Sequence, residues 1–178
     1  MKRVILIFAL ILCSLVADIG FCKESGPKVI KVKGMYVGMD INDARDILQN
    51  HFNDNFEIKN VEGIYSGRYS ITDHQNFVIL SSPNGKVDYI AFLEDAVNSL
   101  FNAHEYSSEE FKESFFTAYN LPEPKKEFYG WDLKCYHDLY IQISNGKSLI
   151  IQGCDKKGNA SAVPHLQVCS SNPAQNCE

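Results

Sequence analysis

Residues 34–52 read as an amphipathic helix entered from a glycine-bracketed segment. Ala44, Leu48 and Phe52 stand three, seven and eleven positions after Ile41, and Ile47 joins them on one apolar stripe. Asp40 stands where an N-cap belongs, and Asp43 adds negative charge to the positive first turn. A helix with one apolar stripe must bury it against another element. The rest of the chain supplies that element as strand-like segments, followed by a second capped helix and more strands.

The strand signals come in two groups. Residues 56–61 alternate apolar and polar, and 62–75 is rich in turn formers. Residues 77–80 are a continuous apolar run. Pro83, Asn84 and Gly85 mark a hairpin, and 87–93 returns. Both faces of this pair carry apolar residues, which places it under cover on two sides or leaves it with a sticky second face. Residues 94–103 predict a short helix with Ala96, Val97, Leu100 and Phe101 inward. Ser107 and Glu110 then form a capping box, with Tyr106 and Phe111 at the staple positions. Phe111, Phe115, Ala118 and Tyr119 make the expected inward stripe, and Asn120, Leu121 and Pro122 end the helix. Residues 122–127 read as a link. Strand material runs from 128 to 144, turns at Asn145 and Gly146, and returns over 148–152.

The expected fold class is therefore α+β, an antiparallel sheet packed by helices. The element order is compatible with two tandem α-β-β-β units, at about 34–104 and 105–154, within one domain. Residues 23–33 are a polar lead-in, and 155–178 a cysteine-bearing tail.

The amino end carries Lys2 and Arg3, an apolar run over 4–12, and small residues at Ala17, Gly20 and Cys22. That is the plan of a signal peptide, since the run is too short to span a bilayer. Cleavage is expected after Cys22, with Ala17 as the alternative cut. A lipid on Cys13 or Cys22 is a further alternative, although each follows a bulky residue. The chain has 17 basic and 22 acidic residues. Cleavage at Cys22 leaves 15 and 21, a net charge of −6. That balance, without a basic run, argues against nucleic acid as a partner. After Lys23 nothing is long and apolar enough to span a membrane. The expected location is periplasmic or secreted.

Four cysteines remain, Cys135, Cys154, Cys169 and Cys177. An even number in an exported chain reads as two disulfides, with three possible pairings. The expected pairs are Cys135 with Cys154 and Cys169 with Cys177. A single long strand over 131–144 brings the first pair near bonding distance. A turn at 136–138 would put a strand between the two cysteines, unless the chain curls back after Gly153.

No catalytic set emerges. No two histidines are spaced for one helix face, and no metal or cofactor phrase occurs, so neither is expected. Cys135 and His137 could pair as thiolate and base, which makes a thiol enzyme the rival reading. A disulfide is the commoner fate of such a cysteine. Tyr129, Trp131, Tyr136 and Tyr140 crowd into twelve positions. Read as one strand, Trp131, Leu133, Cys135, Leu139, Ile141 and Ile143 share the inward face. Lys134, Tyr136, Tyr140 and Gln142 then make a mixed polar and aromatic outward patch, the expected binding surface.

Gly38, Met39, Asp40, Ala44, Ile47 and Leu48 resemble the helix-opening phrase of the β-lactamase inhibitor protein group of small exported proteins. The resemblance implies tandem helix-and-sheet units and a binding protein that uses a sheet face. The expected partner is another exported or envelope protein. A passive envelope component is the third reading.

Overall fold

The computed structural model describes residues 29–63 and 66–160. The expected signal peptide and the expected Cys169–Cys177 pair lie outside the described residues. The first helix, α1, spans Ile41–Phe52. Asp40 caps it by accepting from the Asn42 N–H at 3.0 Å, and Asn53 closes it in the left-handed conformation. Ile41, Ala44 and Leu48 are buried, and Ile47 and Phe52 partly so, as the stripe predicts. The segment before α1 docks on a hairpin: Gly38 N–H donates to Val87 O, Val87 N–H to Met39 O, and Ile41 N–H to Gly85 O.

Strands β1 (Lys59–Asn60), β2 (Tyr69–Asp73), β3 (Phe77–Ser81) and β4 (Val87–Phe92) follow α1. Then come α2 (Glu94–Phe101) and α3 (Ser108–Ala118). Strands β5 (Lys125–Glu127), β6 (Gly130–Tyr136), β7 (Leu139–Ser144) and β8 (Leu149–Gly153) complete the order. All eight strands form one antiparallel sheet in the order β1-β2-β3-β4-β8-β7-β6-β5. Each half contributes a four-stranded meander, and the last strand of each meander pairs with the other at the centre. The α+β expectation holds, with an antiparallel sheet packed by helices.

One face of the sheet carries the core. Ile71, Ile79, Ile90, Ile151, Ile141 and Leu133 make a continuous row across six strands. Phe77, Phe92, Leu149, Ile143 and Trp131 make the next row. Fully burying each such side chain contributes roughly 1.5–3 kcal/mol. The buried apolar residues of all three helices belong to the cluster on this face. Phe52 and Phe56 close on Phe77, and Phe101, Phe111 and Phe115 stack among themselves.

Several expectations change. Strand β2 lies inside the stretch read as turns, and β5 inside the stretch read as a link. On α3 the capping box is present, but Ala118 is exposed and Phe116 is buried in its stead. Lys112 is buried there too. Its ammonium lies 5.5 Å over the Trp131 ring and 3.1 Å from Glu123 Oε1, so its stem packs while its charge is paired. Lys147 is a second buried cation. It donates to Asn98 Oδ1 and to the Ala103 carbonyl, tying the β7–β8 turn to the end of α2.

Candidate functional site

The face of the sheet opposite the helices has its own order. Thr72, Val78, Ala91, Ile150, Gln142, Asp132 and Lys125 form one cross-strand row. Ser70, Leu80, Tyr89, Gln152 and Tyr140 form the next. Leu80, Tyr89 and Ala91 make a small buried cluster, with Val61, Val78 and Ile150 partly buried against it. A bulge in the β3–β4 ladder creates the change of face. Ser81 pairs with Val87 and Leu80 with Tyr89, so Asp88 is the extra residue. Val87 therefore joins the main core while Tyr89 joins the second cluster. Asp88 pairs with the Arg68 guanidinium, yet burial outweighs that pairing and raises its pKa above the usual carboxylate value.

The four residues expected in the patch are divided. Tyr140 and Gln142 lie on this second face, half-buried. Lys134 is exposed in a bulge. Tyr136 pairs with Leu139, a core residue, and so shares the helix-side face. The cause is the turn. Residues 131–144 are not one long strand: His137 and Asp138 form a two-residue turn, both with positive φ. That turn by itself would split the apolar face, because it sets Cys135 opposite Tyr140. The β6 bulge absorbs the mismatch, placing Lys134 and Cys135 together opposite Tyr140 and restoring the Leu133–Ile141 pair.

The expected Cys135–Cys154 bond is present, with 5.8 Å between the Cα atoms. It is reached by the curled route. Cys154 N–H donates to Asp138 O, so the chain beyond β8 passes the end of β7 to meet Cys135. Closing a loop of this length stabilises a fold by about 3 kcal/mol in the chain-entropy account. The bond occupies the sulfur that a thiolate pairing with His137 would need.

Two polar atoms of the second face stand out. Asp132 Oδ1 and Gln152 Oε1 are buried and have no hydrogen-bond partner among the described residues. Each residue is only 9% exposed. Tyr140 lies between them. Burial first, then the negative charge of Asp132 and a hydrogen bond to it, push the Tyr140 phenol well above its ordinary pKa, and Glu127 adds to this. Burial alone raises Tyr89. The patch reading omitted Asp132, Gln152 and Tyr89. The signal for Asp132 was available, since it alternates with the inward Trp131 and Leu133.

Elsewhere, Phe128 and Tyr129 are 86% and 75% exposed at the β5–β6 turn. Gly130 sets that turn at φ 152, where an added Cβ would collide with the Ile143 carbonyl. A groove of about 790 Å³ runs beside the start of α1, lined by Asp40, Arg45, Glu57 and Tyr69 among others. Among the described residues no three acidic, cysteine or histidine side chains group as a metal site. No described helix is long and apolar enough to cross a membrane. Comparison with family models, curated proteins and solved structures finds no match to this chain.

Proposed function

We propose that this is an exported binding protein, and that it occludes or scaffolds another exported or envelope protein through the second face of its sheet. The carrying observation is the composition of that face. A Tyr89–Leu80–Ala91 cluster sits beside Tyr140, Gln142 and two unpaired buried acceptors, and no described helix packs there. Aromatic anchors beside a small apolar cluster supply contact area at low entropy cost. A polar surround that is not satisfied internally favours a partner that satisfies it. Export is supported by the basic start and apolar run of the chain, together with the Cys135–Cys154 bond. The resemblance to the β-lactamase inhibitor group makes a secreted hydrolase one candidate partner class.

The experiment is site-specific photo-crosslinking in an envelope extract. A photoreactive side chain at Gln142 should give a discrete adduct, and one at the exposed Glu113 on α3 should not. Replacing Tyr140 with alanine should then weaken capture by about 2 kcal/mol, as for an interface hot spot. Identical adducts from both positions, or none from Gln142, would defeat the proposal.

A further inference from the structure

Asp132 is the least economical residue of the second face. The residue is nine-tenths buried; the Tyr140 hydroxyl bonds its carboxylate, but Oδ1 has no partner among the described residues. Lys125 stands directly opposite on β5 and is exposed, yet forms no ion pair with it. Gln152 repeats the pattern one row away, with Oε1 buried and unpaired beside Tyr89 and Tyr140. Buried acceptors without donors cost folding free energy, and proteins keep them mainly where something else supplies the donor.

The register gives the spacing. Asp132 and Gln152 are two strands apart and offset by two residues along the strands. Strand spacing and rise put their Cα atoms about 12 Å apart. An extended chain covers that distance in three to four residues. Both unpaired atoms are acceptors, one of them on a carboxylate, and an aromatic ring lies between. A guanidinium fits this better than an ammonium. It is more weakly hydrated, it can hydrogen-bond a carboxylate while lying on a ring, and it keeps its charge when desolvated.

We infer that the second face binds an extended segment of a partner protein, with an arginine seated on Asp132 beside Tyr140 and a donor three to four residues away reaching Gln152. This rests on the proposed use of that face for binding and names the chemistry that the face selects. The acidic balance of the chain favours the same sign of partner.

The test uses the full chain and a defined probe, acetyl-(Thr-Arg)3-amide, with its glutamate and citrulline counterparts, in calorimetric titration. The arginine peptide should bind at least about tenfold more tightly than the glutamate peptide, with citrulline between them. Asp132→Asn should reduce that preference to less than about threefold while leaving Tm unchanged or raised by about 2–4 °C. Equal binding of the arginine and glutamate peptides overturns the inference, as does a preference that survives Asp132→Asn. A clear fall in Tm for Asp132→Asn also overturns it, because Oδ1 would then be satisfied within the fold. A dimer that dissociates on Asp132→Asn would assign the face to a second copy and overturn it too. If the peptides fail while the Gln142 crosslink still forms, the face binds something else. If both fail, the binding reading falls as well.

Discussion

Tyr140 shows how one side chain is set by its neighbours on both strands. It faces Gln152 on β8 and the Lys134–Cys135 bulge on β6. Its phenol is held protonated by burial, by the charge of Asp132 and by the hydrogen bond to it. The folded protein therefore keeps this proton at pH values where the unfolded chain, with a tyrosine pKa near 10, releases it. Proton binding is then greater in the folded state, so stability is intact below about pH 10 and falls as pH rises beyond it. Tyr140→Phe keeps the ring and removes the titration. In urea unfolding at pH 8 and pH 11 the variant should lose less stability between the two than the wild type. An equal loss would mean that the Tyr140 hydroxyl is solvated in the folded state. The residue scale is also where the patch was least legible. Alternation alone put Tyr136 beside Tyr140; the His137-Asp138 turn parts them, and the extra residue in the bulge keeps Leu133 and Trp131 on the core face. A bulge leaves little trace in composition, and here it is marked by a cysteine at φ 44 where a glycine is usual.

Elements declared by local chemistry were legible, and elements that depend on distant pairing were not. Helix α1 has its cap at Asp40 and its stripe within the twelve residues that follow, and α3 has its capping box. Strands β3 and β4 carry apolar runs with a Pro83-Asn84-Gly85 turn between them. By contrast β2 lies in a stretch of turn formers, and β5 is three residues long and wholly exposed. They exist because neighbours offer them a ladder, and Lys125 and Lys126 suit a short, blunted sheet edge. The His137-Asp138 turn lacks the Asn-Gly chemistry that announces such turns. For α3 the cap is open to measurement. Ser107 Oγ accepts from Glu110 N–H, and the Glu110 carboxylate accepts from Ser107 N–H. Hydrogen bonding of the Glu110 carboxylate to the Ser107 backbone N–H first, and to the Ser107 hydroxyl second, lowers its pKa. Ser107→Ala should cost about 1 kcal/mol in urea unfolding. It should also move the Glu110 titration part of the way back toward its usual range. A stability loss below a few tenths of a kcal/mol would mean that α3 is held by its Phe111–Phe115 packing and not by its cap.

At the scale of the molecule, the repeated order of helix and strands could be read from the chain, but the join between the halves could not. Nothing local says that β4 and β8 pair, because their residues are about sixty positions apart. The one hint was that residues 77–80 and 87–93 are apolar on both faces. Strand β4 is central, with Ile90 and Phe92 under the helices and Tyr89 and Ala91 on the second face. The seam is built from Tyr89–Gln152, Ile90–Ile151, Ala91–Ile150 and Phe92–Leu149 pairs, and the aliphatic row crosses it without a break. Lys147 of the second half is bonded to Asn98 and Ala103 of the first. Separating the halves would expose β4 and β8 as long apolar edges, which favours aggregation over independent folding. Fragments 29–104 and 105–160, made separately, should each lack a cooperative unfolding transition. Mixed in equal amounts, they should recover one, with near-ultraviolet dichroism from Trp131 returning in step. Each half burying its own core would predict the opposite, since either fragment would then melt cooperatively without the other. That outcome would make the central pairing a docking of two finished units and leave the second face as two patches instead of one.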